Sequence, residues 1–162
     1  MTSVAIRKMS EADRPQIMRI LGYWNMAPRA SSLELPKPER SDIETANTFV
    51  ATTQEITVGV ASYILRGDRF AETASLAVDP AWLGVHIGER LQIARLAEMK
   101  VRGIERIQTE ADRPAVIEWY VRKFGYQIVG TARKKHEFGL ASIDYWTVLE
   151  LNLLAWHAPN QN

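Results

Sequence analysis

The stretch from Leu76 to Leu91, LAVDPAWLGVHIGERL, constrains this chain more than any other. Thr73 to Val78 is rich in β-branched and apolar residues and reads as a strand. It runs into Pro80, crosses a glycine-bearing loop and enters a helix near Gly88. That order aims several backbone N–H groups at one point, at the positive end of a helix dipole. The result is a cradle for a phosphate or pyrophosphate. An ordinary strand–loop–helix crossover, in which Gly84 and Gly88 only ease a tight turn, has the same local pattern. The surrounding elements therefore decide its meaning.

Those elements belong to a globular chain. Its 162 residues are 46% hydrophobic and 24% charged, enough to bury a core and too apolar for disorder. The net charge of +1 gives no broad attraction to nucleic acid or membrane, so neither is an expected partner. The absence of cysteine removes disulfides, thiolate metal sites and a cysteinyl acyl-enzyme together. MTSVAIRKMSEADRP has no long apolar run, so no signal peptide is expected, and no segment approaches the roughly 18 apolar residues of a membrane span. The expected location is the cytoplasm.

Val4 to Arg7 reads as a strand, and Ser10 caps a helix with Asp13 as its capping-box acid. That helix carries Ile17, Met18, Ile20 and Leu21 and is expected to end near Gly22. Pro28, Pro36 and Pro38 keep residues 23–40 irregular, and Ser41 to Glu44 reads as a brief helical turn. Strands follow over Thr48–Thr53, Ile56–Leu65 and Phe70–Val78, close enough for an antiparallel meander. A helix from Gly88 to Arg102 has an apolar face of Leu91, Ala94, Leu96, Ala97 and Val101 and stops at Gly103. Then come a strand Ile104–Glu110, a helix Ala115–Phe124 ending at Gly125, and strands Tyr126–Arg133 and Tyr145–Leu153. The prediction is an α/β (α+β) fold: a mixed, mostly antiparallel sheet flanked by helices. A single domain is expected over residues 1–154, with a flexible tail over 155–162.

This order, together with the V-x-P, glycine loop and helix after the third meander strand, resembles the GNAT N-acetyltransferase superfamily along essentially the whole chain. The family loop reads Q/R-x-x-G-x-G/A, and here it is Leu83-Gly84-Val85-His86-Ile87-Gly88. Gly88 keeps the final glycine and Gly84 supplies a loop glycine. Leu83 replaces the Gln or Arg, and His86 replaces the middle glycine. A backbone cradle tolerates a non-glycine at 86 unless φ there must be positive. The resemblance implies an acyl-CoA, expected to be acetyl-CoA, as co-substrate. It implies backbone contacts from Leu76, Ala77 and Val78 to the pantetheine amides. Pyrophosphate contacts would come from residues 83–89, namely Leu83, Gly84, Val85, His86, Ile87, Gly88 and Glu89.

Two residues are catalytic candidates. Amide formation needs a neutral amine, and a primary amine of pKa about 10 is mostly protonated at neutral pH. Glu72 opens the strand that enters the cradle, eleven residues before Leu83. It resembles the strand glutamate that is general base in the histone-acetyltransferase branch. It shares strand parity with Ala74, Leu76 and Val78. The bland alternative is a surface carboxylate paired with Arg66 or Arg69. Trp119 to Tyr126 resembles the family's aromatic-Tyr-x-x-x-Gly-Phe signature, whose tyrosine protonates the departing CoA thiolate. The family spacing falls on Val121, four residues before Gly125, whereas Tyr120 is five before it. One residue turns a side chain by about 100°, so Tyr120 reads either as that acid or as a packing residue. Arg113, Arg122 and Lys123 are candidates for the adenosine phosphates or a solvated charged face.

The acceptor side is expected in the irregular segment from Tyr23, Trp24, Asn25 and Met26 through Arg40. His136, Asp144 and Tyr145 would border it. Trp24 and Met26 fit equally well as core cover, and Arg133-Lys134-Lys135 reads foremost as a solvated basic hairpin. The three histidines, His86, His136 and His157, form no metal motif, so no metal is expected. The implied acceptor is an amine of a small molecule or peptide, and a homodimer through sheet edges is among the assemblies the family uses. The competing readings are a degenerate, non-catalytic acyl-CoA-binding or interaction module, and a nucleotide-binding domain of another family. The meander ahead of the cradle disfavours the latter.

Overall fold

A computed structural model of the chain describes residues 3–28, 43–135 and 138–159. The elements are β1 (Ala5–Lys8), α1 (Arg14–Tyr23), β2 (Thr48–Thr53), β3 (Ile56–Gly67), β4 (Phe70–Val78), α2 (Ile87–Val101), β5 (Arg106–Ala111), α3 (Pro114–Phe124), β6 (Gln127–Arg133) and β7 (Tyr145–Asn152). Single 3₁₀ turns lie at Glu11–Asp13, Thr45–Asn47 and Pro80–Trp82. The strands form a seven-stranded sheet in the order β1-β2-β3-β4-β5-β7-β6. The β1–β2, β2–β3, β5–β7 and β6–β7 pairs are antiparallel and β4–β5 is parallel. This is the mixed, mostly antiparallel α/β class expected.

The chain divides into two compact units, Met1–Ser62 with Ser75–Gln92, and Tyr63–Ala74 with Ile93–Asn162. In the first, Ile17, Ile20 and Leu21 of α1 pack with Val50, Val60 and Ala77, and Trp24 and Met26 lie against this cluster as core cover. A second cluster joins Ala51, Val58 and Ala61 to Val78, Ile87 and Leu91. Gly59 lets α2 approach β3 closely: a Cβ there would stand 2.9 Å from Leu91 Cδ1 and 3.1 Å from Ile87 Cγ2. In the second unit Leu96, Met99, Ile107, Tyr126, Leu149, Leu151 and Leu153 are buried.

Several local expectations change. Ser10 N–H donates to the Asp13 carboxylate at 2.8 Å, as a capping box requires, but the turn it opens is 3₁₀ and α1 starts at Arg14. α1 ends at Tyr23, beside the expected Gly22, and the chain leaves it through Asn25 at φ 54°. There the N–H groups of Asn25 and Met26 donate to the carbonyls of Gly22 and Leu21, and asparagine takes the left-handed position usual for glycine. The buried stripe of α2 is Ile87, Leu91, Gln92, Arg95, Leu96 and Met99, whereas Val101 is 88% exposed. The expected apolar face is thus rotated to include an arginine and a glutamine. The turn read at Ser41–Glu44 begins outside the described residues, and the 3₁₀ turn lies at Thr45–Asn47.

β7 takes the position beside β5 that sequence order would give β6. The exposure of the two strands explains it: β7 buries Trp146, Leu149 and Leu151, while β6 is exposed along almost its whole length and forms the edge. In the segment assigned to a flexible tail, Trp156 is buried and its carbonyl accepts from Lys100 Nζ. An aromatic side chain of that size is held by the apolar area it buries.

Candidate functional site

The cradle belongs entirely to the first unit. Asp79 ends β4: its N–H donates to Val58 O at 2.8 Å and its Oδ1 accepts from Ala81 N–H at 2.9 Å, closing the turn at Pro80. Arg19 Nη1 lies 3.3 Å from Asp79 Oδ2. The loop then passes through two left-handed residues, Gly84 at φ 83° and His86 at φ 62°. The condition on position 86 is therefore met in the unfavourable sense, since the backbone there takes the positive φ that glycine adopts freely. Histidine is among the side chains that tolerate it. Arg90 N–H donates to His86 O at 3.1 Å and opens the helical ladder. The N–H groups of Ile87, Gly88 and Glu89 precede that first bond and lie at the positive end of α2.

The side chains around the loop leave it open at the surface. Leu83 and Val85 are each 54% exposed, and Gly88 has only Val78 Cγ2, at 3.8 Å, near a Cβ. His86 Nδ1 lies 3.2 Å from Glu89 Oε2. The Val78 carbonyl, expected to serve a pantetheine amide, accepts from the Trp24 indole N–H at 2.9 Å. Leu76 is half-buried and Ala77 buried.

Within β4 the alternation is real: Glu72, Ala74 and Leu76 are half-buried, and Ala71, Thr73, Ser75 and Ala77 are buried. Val78 departs from it and is buried. Ser75 sits at φ 55° in mid-strand, a conformation of about 1–2 kcal/mol cost for a non-glycine residue. No sequence signal separates this serine from an ordinary strand residue.

The catalytic candidates belong to the second unit. The β4–β5 pairing runs from Phe70–Arg106 to Glu72–Gln108. Glu72 Oε2 lies 3.1 Å from Arg66 Nη2, with the two side chains 36% and 43% exposed. This is the pairing the bland reading anticipated. Arg69 pairs with Glu105 instead. Just beyond the last β4–β5 pair, Thr73 Oγ1 is buried with no hydrogen-bond partner among the described residues.

Tyr120 is 4% exposed, and Val121, at the family spacing, is 37% exposed. The off-by-one register thus turns the tyrosine inward and the valine outward. The Tyr120 ring lies 5.1 Å from Trp119 and 4.9 Å from Tyr126, centroid to centroid. Its hydroxyl oxygen accepts from Arg95 Nη2 at 3.2 Å, and Arg95 Nη1 donates to Ala74 O at 3.0 Å. Arg95 falls on the row Ile87, Leu91, Arg95, Met99 of α2, and a charge at that place in an otherwise apolar i, i+4 row is the sequence signal that marks it. Arg113 is half-buried at the N-cap of α3, Arg122 pairs with Glu118 at 2.9 Å on an exposed face, and Lys123 is exposed.

The basic run Arg133–Lys135 is not wholly solvated. Lys134 Nζ lies 2.8 Å from Asp112 Oδ2, with side chains 5% and 8% exposed, and also donates to the carbonyls of Phe138 and Leu140. Asp144 and Tyr145 are exposed. His136 and the acceptor segment from residue 29 through Arg40 lie outside the described residues. Among the described residues no three acidic or histidine side chains gather as a metal site, and no helix is long and apolar enough to cross a membrane.

A mixed sheet whose fourth strand feeds a left-handed loop and an open helix N-terminus defines the class as an α/β domain. The model of the acetyltransferase (GNAT) domain matches residues 44–128, just over half of the chain, and the protein belongs to that family. N-acetylglutamate synthase from Neisseria gonorrhoeae, solved with coenzyme A and L-arginine, has a TM-score of 0.68 over 94% of this chain at 17% identity. This chain spans only 34% of that protein's length. The ribosomal-protein-S18-alanine N-acetyltransferase from Escherichia coli has a TM-score of 0.68 at 19% identity, covering 93% of this chain and 94% of its own. An N-acetyltransferase from Staphylococcus aureus Mu50 has the same TM-score at 20% identity, covering 93% and 99%. At these identities the likeness establishes the fold. No curated protein matches the sequence.

Proposed function

We propose that the protein is an acyl-CoA-dependent N-acyltransferase that moves an acyl group, acetyl in the first instance, to an amine of a small molecule or peptide. The carrying observation is the cradle: Gly84 and His86 in left-handed conformation, followed by the first-turn N–H groups of α2. That pattern suits the CoA pyrophosphate, and exposed Leu83 and Val85 are apolar surface for the rest of the nucleotide to cover. Coenzyme A in the N-acetylglutamate synthase structure supports the same ligand here.

Without cysteine the transfer is direct. Glu72 takes a proton from the amine as its nitrogen bonds to the thioester carbon. The C–S bond breaks, its electron pair passes to sulfur, and Tyr120 gives sulfur the proton that completes free CoA. Glu72 then releases its proton to solvent water and Tyr120 takes one up from it, so both residues return to their starting states. Backbone N–H dipoles are suited to polarise the thioester carbonyl, and holding both reactants in line supplies much of the rate. The second reading, a non-catalytic acyl-CoA-binding module, draws on one observation: the Glu72 carboxylate is already engaged by Arg66.

Thermal unfolding with acetyl-CoA, CoA and ATP in parallel tests the cofactor. A ligand at about 100 times its Kd stabilises by about 2.7 kcal/mol, a shift of several degrees at about 2–4 °C per kcal/mol. Both CoA species should raise the midpoint and ATP should not. Gly88→Glu fits sterically and is compatible with a helix N-terminus, so it should fold and lose the CoA shift. Thiol release from acetyl-CoA with a panel of amino acids and short peptides then separates enzyme from module. Binding without release with any amine would leave the module.

A further inference from the structure

Acyl transfer through Glu72 and Tyr120 leaves Arg95 without a role, yet this side chain is fully enclosed, at 0% exposure. It stands where Ile87, Leu91 and Met99 stand on the same stripe of α2, and an apolar side chain of similar length would fill that place without burying a charge. A guanidinium stays protonated and is costly to bury unless its donors are met. Its two arms are directed at two different elements. Nη1 donates to Ala74 O at 3.0 Å, two residues beyond Glu72 on β4, and Nη2 donates to the Tyr120 hydroxyl oxygen at 3.2 Å.

We infer that Arg95 is a positioning residue for Tyr120, orienting the proton donor of acyl transfer, an inference that rests on reading Tyr120 as that donor. The direction of the contact is fixed by chemistry. A guanidinium has no acceptor lone pair, so the Tyr120 oxygen accepts, and the Tyr120 O–H proton must point away from Arg95 toward another acceptor. The ring is wedged between Trp119 and Tyr126, so the phenol does not swing to find one. When Tyr120 gives its proton to sulfur, negative charge grows on an oxygen 3.2 Å from a cation already in place. That cation is anchored on β4 through Ala74, so stabilising the charge needs no reorganisation.

The test compares Arg95→Met, Arg95→Lys, Tyr120→Phe and the double variant (Arg95→Met with Tyr120→Phe) in the full chain. Each is assayed by thiol release from acetyl-CoA with the most active amine of the panel. Arg95→Met should lower kcat by about 10²-fold, the low end of what a positioned proton donor supplies, with KM for acetyl-CoA within about two-fold. Arg95→Lys, which keeps the charge and one donor, should recover part of kcat. The decisive result is non-additivity: the double variant should be no slower than Tyr120→Phe alone. If Arg95→Met slows the Tyr120→Phe protein by the same factor as it slows wild type, or leaves kcat unchanged, the inference is overturned. Should Arg95→Met fail to fold, the same comparison made with Arg95→Lys in both backgrounds decides it. A wild-type protein that binds CoA and releases no thiol with any amine defeats the catalytic reading, and this inference with it. Wild-type turnover that survives Arg95→Met defeats this inference alone.

Discussion

Arg66 and Glu72 face each other from β3 and β4, Nη2 to Oε2 at 3.1 Å, and this pair is where the proposed general base stands before an amine arrives. Both side chains reach water, so the pair contributes at most about 0–1 kcal/mol and opens at little cost. If Glu72 is the base, Glu72→Gln lowers kcat for thiol release by about 10²–10⁴-fold and leaves acetyl-CoA affinity unchanged. Arg66→Ala keeps the base and should retain most of kcat. A Glu72→Gln protein that turns over like wild type would assign the carboxylate to the ion pair alone.

His86 carries the strain of the cradle. At φ 62° a β-branched side chain is a steric outlier, so His86→Val should cost about 1–2 kcal/mol, read as a lower thermal midpoint. His86→Gly should keep the midpoint within about 1 kcal/mol of wild type, because eased strain offsets the added freedom of the unfolded chain. It should also retain the CoA-induced shift. Equal midpoints for the valine and histidine proteins would mean that the loop does not hold this conformation in solution.

Asp13 makes stability depend on acid. Its carboxylate accepts from Arg7 Nη1 and Nη2, at 2.7 and 2.8 Å, and from Ser10 N–H and the Thr57 hydroxyl. The Arg7 hydrogen bonds above all hold it well below the usual carboxylate range. A folded value below the unfolded one, about 3.9, means that this stabilisation is complete above that pH. It is lost progressively as pH falls toward the folded value. Urea midpoints followed from neutral pH to about pH 3 should drop in wild type, and drop less in Asp13→Asn, which starts lower. Parallel curves for the two proteins would remove Asp13 from the acid response.

Asp112 and Lys134 form an enclosed ion pair, with 8% and 5% side-chain exposure. Lys134→Met leaves a buried carboxylate with one donor fewer and should cost about 3–5 kcal/mol. The double change Asp112→Asn with Lys134→Met should recover part of that loss, because the uncompensated charge is gone. Denaturant unfolding of the three proteins measures both.

The order of elements was legible because each is a local pattern: alternation in β4, a glycine stop at Gly125, and a proline and glycines around the cradle. The family also followed from local order, the strand, V-x-P, loop and helix arriving after a meander. What the sequence left open depended on neighbours far along the chain. It could not place β7 inside β6, because only burial against β5 ranks two adjacent strands. Arg95 and Gln92 on the buried face of α2, and Lys134 beneath a loop, were equally hidden, because a polar group can be buried only when partners from other elements meet it. The positive φ of Ser75 and His86 is likewise imposed by the structure around those residues, against the preference of their own side chains. Local preference thus determined which segments fold and in what order. Tertiary packing decided which side chains they turn inward, and with that whether Tyr120 faces a solvent surface or the Arg95 guanidinium.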